Sequence, residues 1–180
     1  SLNHDGVIDS NDQAPIGYNP VPEMTFSLAA GLNWKGIDFS ILLQGAARSS
    51  IYLQQDIAWD NFWGNYYEEH IGRWTPETAA TATYPRFTKA ATAAHPNYYK
   101  SDYWLKDSKY LRLKNIQLGY TIPRKLLKKF GVRSLRVYAN AYNLFTWDNV
   151  KKVDPESSNN SNGQFYPQQK VINFGINLNF

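Results

Sequence analysis

The last eleven residues of the chain alternate between apolar and polar positions. Small residues and amides fill one face of this predicted strand, apart from Val171. After Lys170, the other face is wholly apolar and consists of Ile172, Phe174, Ile176, Leu178 and Phe180. This pattern is typical of an outer-membrane strand, whose apolar face meets lipid and whose polar face meets a wet lumen. A strand of a soluble β-sandwich shows the same alternation, so this segment alone leaves both classes open.

The same period of two predicts four further strands. They run from Met24 to Trp34, from Ile37 to Ala46, from Lys109 to Ile122 and from Arg133 to Thr146. In the third, Leu111 and Leu113 are out of phase with the apolar residues that follow. A β-bulge before Asn115 would return them to the apolar face.

If this sheet crosses a membrane, the alternation assigns a direction to its side chains. The residues expected to face the lumen are Asn115, Gln117, Asn140, Asn173 and Asn177. Those expected to face lipid are Ile116, Leu118, Tyr120, Leu135, Val137, Phe174, Ile176 and Leu178.

The connections between the predicted strands alternate between short and long. Lys35-Gly36 and residues 123–132 are compact turns, the second with room for one helical turn. Residues 1–23, 47–108 and 147–168 are long, and they would all lie on one side of the sheet. Short periplasmic turns and long extracellular loops are the outer-membrane arrangement, so we expect these three segments outside the cell. A soluble sandwich has no reason to gather every long loop at one end.

Composition changes this picture only in part. The chain has 180 residues, a net charge of +4, no Cys and 16% aromatic residues. The absence of Cys argues mildly against a disulfide-stabilised secreted domain. No apolar run approaches the ~20 residues of a membrane helix. We interpret the basic cluster at Arg124, Lys125, Lys128 and Lys129 as a solvated turn and expect no nucleic-acid partner.

The chain begins inside a polar loop, with no signal peptide. We therefore expect it to be the C-terminal segment of a longer exported protein. Five strands cannot close a membrane barrel, because the smallest have about eight. The remainder of the same polypeptide is then needed to complete the fold.

Several stretches resemble the C-terminal portion of the SusC/RagA-type TonB-dependent outer-membrane transporters of Bacteroidetes. The most specific is the block from Tyr110 to Tyr120, YLRLKNIQLGY. The other matching stretches follow in chain order as DGVID from Asp5, PIG from Pro15, PEMTF from Pro22, NWKGIDFS from Asn33, RWTPE from Arg73, YPR from Tyr84, NLFT from Asn143 and DPE from Asp154.

This resemblance implies an all-β fold, in which antiparallel strands form the C-terminal part of a 22-stranded transmembrane β-barrel with long extracellular loops. It also implies import of glycans or peptides, powered through TonB, with a SusD-like surface lipoprotein as a lid. The plug, the region that contacts TonB and most of the barrel would lie outside this chain. Phe180 and the alternating residues before it resemble a C-terminal signal for barrel assembly.

An acidic loop at the start of the chain is spaced like a calcium-binding loop. The candidate ligands are Asn3, Asp5, Val7 through its carbonyl, Asp9 and Asp12, and Gly6 falls where the loop must turn. Ser1 replaces the usual acid, and Asp12 replaces the longer Glu. Calcium would stiffen the loop; the alternative is an acidic turn that caps itself with its own side chains.

The long segment 47–108 is rich in aromatic residues. Flat rings suit sugars, peptide side chains and protein interfaces. The candidates for contact with substrate or a lid protein are Trp59, Trp63, Tyr66, Tyr67 and Trp74. The alternative is that these rings pack the segment against itself.

The sequence offers little for catalysis. Asp56, Asp60, Glu68, Glu69 and His70 lie close together, but we interpret them as solvated loop charges and expect no enzyme. The runner-up to a transporter segment is a secreted carbohydrate-binding β-domain.

Overall fold

The period-2 segments form long strands, and two shorter strands lie between them. The strands are β1 (Met24–Trp34), β2 (Ile37–Ala47), β3 (Ser50–Tyr52), β4 (Leu105–Asp107), β5 (Tyr110–Thr121), β6 (Ser134–Asp148) and β7 (Val171–Asn179). The five predicted strands are therefore confirmed, with ends that differ by one or two residues. A computed structural model describes residues 2–7, 9–62, 64–89, 95–151, 153–157, 166 and 168–180.

The five long strands form one antiparallel sheet in the order β1-β2-β5-β6-β7. Neighbours in the sheet are neighbours in sequence, except that β3 and β4 form a separate pair between β2 and β5. Lys35 and Gly36 close the first hairpin with φ angles of 46° and 88°. Glycine is needed at the second position, because a Cβ there would lie 2.7 Å from the carbonyl oxygen of Thr121.

The predicted bulge is present, and it involves two strands. Leu42 pairs with Asn115 and Leu43 pairs with Leu113, so Lys114 is an extra residue relative to β2. On the other side, β6 carries an extra residue beside Lys114, where Asn143 adopts a φ of 50°. These insertions keep the apolar residues of both halves of β5 on one face.

Helical segments are short and lie in the connections. The α-helix α1 (Arg124–Leu127) continues into a 3-10 turn at Lys128–Phe130, as predicted for this turn. Further 3-10 turns are Ser10–Asp12, Gln55–Ile57, Glu68–Gly72 and Pro96–Tyr98. Among the described residues there is no helix with the length and apolar character that a membrane crossing requires.

The buried core of the chain lies beside the sheet, in the long connections, and not on the sheet itself. Its members are Ile51, Leu53, Ala58, Trp59, Tyr84, Tyr98, Trp104 and Val150. By contrast, every residue of β1 is exposed, and so is every residue of β7 except Gly175. The two edge strands, β1 and β7, therefore display their apolar residues to the surroundings.

Candidate functional site

The register of the sheet joins the apolar residues of five strands into one surface. Across a single row, Leu32 pairs with Phe39, Phe39 with Leu118, Leu118 with Ala139 and Ala139 with Phe174. Phe174 is 83% exposed and Ile176 is 69% exposed. A soluble protein rarely leaves a continuous apolar surface of this size uncovered, so this face requires an apolar environment.

Aromatic side chains border the apolar face at both ends. Trp34, Tyr120 and Phe180 lie near the short turns, and Phe26, Phe145 and Trp147 lie near the long connections. Phe26 and Trp34 are about eight residues apart, which is ~26 Å along a strand and ~20 Å across a membrane at the usual strand tilt. Two aromatic bands around an apolar zone of about this height are typical of a strand that crosses a bilayer.

The opposite face is polar, as the alternation predicted. A row of hydrophilic side chains runs from Ser40 through Gln117 and Asn140 to Asn173, whose amide donates to Asn140 at 3.0 Å. The side chains assigned to the lipid and lumen faces therefore lie on opposite faces of one sheet.

An ion pair spans three strands of this polar face near the short turns. Arg136 Nε donates to Asp38 Oδ2 at 2.8 Å, and Arg136 Nη2 also contacts Asp38 Oδ1. The two side chains meet over Gly119, where a Cβ would collide with both of them. Glycine in β5 thus makes room for a contact between β2 and β6.

A second ion cluster fixes a connection onto the polar face at the opposite end of the sheet. Arg112 is 2% exposed, and its Nη2 lies 2.8 Å from both carboxylate oxygens of Asp154. Its Nη1 donates to Glu156, and its Nε donates to Thr146 at 3.0 Å. Tyr110 donates its hydroxyl to Glu156 at 2.6 Å. We call this set of five residues the Arg112 clamp.

The Arg112 clamp was not found from the sequence. Asp154 and Glu156 lie 42 and 44 residues after Arg112 in sequence, and no sequence pattern connects the three side chains. The one available signal was a charged residue between the apolar positions Leu111 and Leu113. That signal shows which face Arg112 occupies, but not its partners.

The long connections pack together into a structured unit, here called the loop module, which comprises the described residues of 48–109 together with Val150. Ser49 and Ser108 close its base, with a hydrogen bond of 2.8 Å between their hydroxyl groups. Tyr18 and Glu23 of the leading segment also bond to Ser50 and Arg48. All three long segments therefore lie at the same end of the sheet.

Two residues that we interpreted as solvated loop charges are instead buried in the loop module. Asp60 is 1% exposed and His70 is 2% exposed. Asp60 accepts from the hydroxyl groups of Tyr84 and Tyr98, and from the backbone N–H of Thr88 at 3.1 Å. A buried carboxylate is costly unless it is hydrogen-bonded, and these donors satisfy it. The interpretation as solvated charges is therefore wrong for these two residues.

His70 links two parts of the loop module in a defined tautomer. The backbone N–H of Tyr67 donates to Nδ1 at 3.1 Å, so the ring proton lies on Nε2 and points to the carbonyl of Ala58 at 3.2 Å. The ring also contacts Tyr84, with centroids 4.5 Å apart. Both ring nitrogens are therefore engaged in holding the fold of the module.

This environment raises the pKa values of the Tyr84 and Tyr98 hydroxyl groups. Burial raises the pKa of Tyr84 well above its usual range, and the charge of Asp60 adds to the effect. Burial, followed by the hydrogen bond to Asp60, likewise raises the pKa of Tyr98. The folded module therefore favours the neutral, hydrogen-bond-donating form of both phenols.

The predicted contact aromatics separate into two groups. Trp59 is 3% exposed and packs against Tyr98, with centroids 4.7 Å apart, so it has a structural place in the core. Tyr66, Tyr67 and Trp74 are exposed and lie within nine residues of one another in sequence, with Tyr66 the most open at 57%. Trp63 lies outside the described residues.

The N-terminal loop uses its carboxylates to accept backbone hydrogen bonds. Asp5 accepts from Val7 at 2.7 Å, Asp9 from Asn11 at 2.8 Å, and Asp12 from Asp9 at 3.0 Å. The bond from Asp9 is the largest of the influences that lower the pKa of Asp12. Within the described part of the chain, no three His, Cys, Asp or Glu side chains are grouped to hold a metal ion. Calcium at Asn3, Asp5, Val7, Asp9 and Asp12 stays a prediction.

Comparison with known proteins shows relatives that match almost the whole chain. It is 30% identical to TonB-dependent receptor P26 of Formosa agariphila, over 99% of this chain and 19% of the relative. It is 27% identical to TonB-dependent receptor SusC of Bacteroides thetaiotaomicron, over 99% of this chain and 17% of SusC. The chain thus spans less than one fifth of the length of these relatives. No family model matches the chain.

Solved structures share the fold. A chain of the RagAB peptide transporter superposes with a TM-score of 0.72 at 21% identity, covering 96% of this chain and 19% of that one. The RagAB peptide importer in its closed-closed state gives a TM-score of 0.66. The all-β, antiparallel fold is therefore confirmed, whereas the count of 22 strands stays an expectation. Over nearly its whole length, the chain is homologous to a C-terminal part of the TonB-dependent receptors, the group that includes SusC.

Proposed function

We propose that this chain is the C-terminal part of the barrel of an outer-membrane transporter, which imports glycans or peptides together with a SusD-like lipoprotein. Like the receptors it matches, the chain belongs to the bacterial outer membrane. The observation that carries the proposal is the two-faced sheet: an apolar face between two aromatic bands, and a polar face that bears the Arg112 clamp. A secreted carbohydrate-binding domain, the alternative from the sequence, would have to cover that apolar face.

The outer edges of β1 and β7 support a larger barrel. In the described part of the chain neither edge has a partner strand. An open edge inside a membrane leaves backbone groups without hydrogen bonds, which lipid cannot satisfy. We infer that further strands of the same polypeptide pair with both edges, and that the plug and the TonB-contacting region also belong to that polypeptide.

The loop module supplies a surface for a partner or a substrate. In the proposed orientation the module faces the cell exterior, where a surface lipoprotein or an incoming nutrient would arrive. Tyr66, Tyr67 and Trp74 present exposed rings there, and Ile71 of the same stretch of chain is 76% exposed. The buried bonds of Asp60 and His70 hold the backbone beneath this surface. A rigid base with exposed rings favours contact at low entropic cost.

The proposal includes two classes of substrate, glycans and peptides. RagAB is named as a peptide transporter. Peptides and glycans both place flat or apolar groups against aromatic rings. Uptake by cells that carry the full-length protein, measured with labelled oligopeptides and labelled oligosaccharides in parallel, would decide between them.

Removing the exposed rings tests the module surface. In the full-length protein, we expect Tyr66→Ala with Trp74→Ala to reduce both lipoprotein co-purification and uptake several-fold, because interface aromatics commonly contribute more than about 1 kcal/mol each. Trp34→Ala is the matched control, since Trp34 is 58% exposed at the opposite end of the sheet. Normal co-purification and normal uptake in the double variant would refute this role.

A further inference from the structure

The connection between β5 and β6 is strongly basic and partly apolar. From Pro123 to Arg133 it contains five basic residues and no acidic residue. Lys35 of the neighbouring hairpin adds a sixth positive charge at the same end of the sheet, 4.9 Å above the ring of Trp34. None of the ion pairs found among the described residues involves any of these six side chains.

Two large apolar side chains stand out from this connection. Leu126 is 65% exposed and Phe130 is 77% exposed, although Leu127 between them is buried. Leu126 lies in the short α-helix and Phe130 in the 3-10 turn that continues it, so one helical segment displays both side chains as a pair. Leu127 between them is buried and anchors the segment to the fold. A solvated turn has no reason to display this pair.

The position of the pair indicates what covers it. The connection follows directly after the aromatic band of Trp34, Tyr120 and Phe180, which borders the apolar face. Aromatic and apolar side chains at such a border lie at the level of lipid head groups, and basic side chains just beyond it meet lipid phosphates. The basic charge and the exposed apolar side chains therefore both fit one occupant, the head-group layer of a membrane.

We propose that residues 123–133, together with Lys35, dock onto anionic phospholipid head groups of the leaflet next to the short turns. Phe130 and Leu126 insert at the head-group level, and the basic side chains bind phosphate. In the proposed orientation this is the periplasmic leaflet. The inference rests on the proposed function only for the membrane placement of the sheet; it requires neither a substrate nor a lid protein.

A photoreactive residue at position 130 tests the contact directly. The full-length protein, with the benzophenone side chain of benzoylphenylalanine in place of Phe130, is reconstituted into phosphatidylethanolamine vesicles with a minor fraction of phosphatidylglycerol. After illumination, mass spectrometry identifies the lipid adducts. We expect phosphatidylglycerol adducts to exceed the vesicle fraction several-fold.

Neutralising three of the lysines should reduce this enrichment. In Lys125→Gln with Lys128→Gln and Lys129→Gln, we expect the phosphatidylglycerol enrichment to fall several-fold, because each basic residue near a surface favours anionic lipid by about 1 kcal/mol and only Lys35, Arg124 and Arg133 remain. The matched control neutralises three exposed lysines of the long connections, Lys89, Lys100 and Lys151. It should leave the enrichment unchanged.

The same reagent at position 176 separates failure of this inference from failure of the membrane placement. Lipid adducts at position 176 with none at position 130, or adducts at position 130 without anionic enrichment, would overturn the docking proposal and leave the barrel intact. No lipid adducts at either position would overturn both. When the experiment is done in cells, adducts between position 130 and a protein would show that a periplasmic protein, and not lipid, covers this surface. That outcome would overturn the proposal.

Discussion

At the scale of single residues, Arg112 connects the sheet to the connection that follows β6. Its guanidinium reaches Asp154, Glu156 and Thr146 with almost no exposure to solvent. The planar fork of arginine suits this set, since it donates in several fixed directions at once. Lysine at this position would keep the charge and lose the geometry.

Replacing Arg112 should release residues 149–157 from the polar face. Removing one partner of a buried ion pair leaves the other charge uncompensated, which typically costs about 3–5 kcal/mol. In Arg112→Gln we expect trypsin to cleave after Lys151 in the intact full-length protein, with Arg112→Lys intermediate.

The control for this experiment is a solvent-exposed ion pair at the same end of the sheet. Arg48 and Glu23 lie 3.9 Å apart with more than half of each side chain exposed, so Arg48→Gln should change stability by about 0–1 kcal/mol. Equal resistance to trypsin in the wild type and in Arg112→Gln would show that the Arg112 clamp does not hold the segment.

The raised pKa values of Tyr84 and Tyr98 predict a loss of module stability at alkaline pH. Each neutral phenol is favoured in the folded state, so its contribution is fully present below the unfolded pKa of about 10. That contribution declines as the pH rises above this value towards the higher folded pKa. We expect the Trp59 and Trp104 environment to change above about pH 10, as monitored by tryptophan fluorescence.

Tyr98→Phe provides the comparison for the alkaline transition. It cannot ionise at position 98, so the difference in tyrosinate absorbance between the wild type and this variant should report Tyr98 alone. A difference curve centred at the ordinary tyrosine pKa would contradict the assigned hydrogen bond to Asp60.

At the scale of elements, the strands were predictable because apolar and polar residues alternate with the pleat. Two-residue periodicity located β1, β2, β5, β6 and β7, and the out-of-phase Leu111 and Leu113 located the bulge. The compensating insertion at Asn143 was not predicted. Apolar residues of β6 lie at odd-numbered positions both before and after Asn143. The alternation of apolar and polar residues therefore shows no break there.

The loop module was not predictable in the same way. Residues 48–109 have no sustained period, and their core joins residues as distant as Ile51 and Val150. Whether a ring such as Trp59 or Tyr66 is buried depends on tertiary packing. The same holds for Asp60 and His70, whose partners come from several turns of the module. From residue type alone, we interpreted Asp60 and His70 as solvated charges and Trp59 as a contact residue. In the folded module all three side chains are buried.

Adjacent positions on β7 should report opposite environments. Ile176 pairs with Val137 on the apolar face, and Asn177 pairs with Arg136 on the polar face. Spin labels at these two positions of the full-length protein in vesicles should therefore differ: a lipid-soluble relaxation agent should affect position 176 strongly and position 177 weakly. Equal accessibility at both positions would defeat the assignment of the faces.

At the scale of the whole molecule, the arrangement inverts that of a soluble domain. The residues that would form a core in water lie on the outer face of the sheet, while the compact core belongs to the connections. The two parts have different stabilising surroundings, since lipid can cover the first and the second packs on itself. The Arg112 clamp and the paired hydroxyl groups of Ser49 and Ser108 join them.

The paired serines at the base of the loop module bear on the order in which the chain folds. Without them, pairing β2 with β5 would close a disordered loop of about 60 residues, at an entropic cost of roughly 3.7 kcal/mol. Because β3 and β4 pair just above Ser49 and Ser108, the module brings its own ends together. A module that forms early would hold the ends of β2 and β5 close together, like the two arms of a hairpin. The two strands, which are far apart in sequence, could then pair without the closure of a long loop.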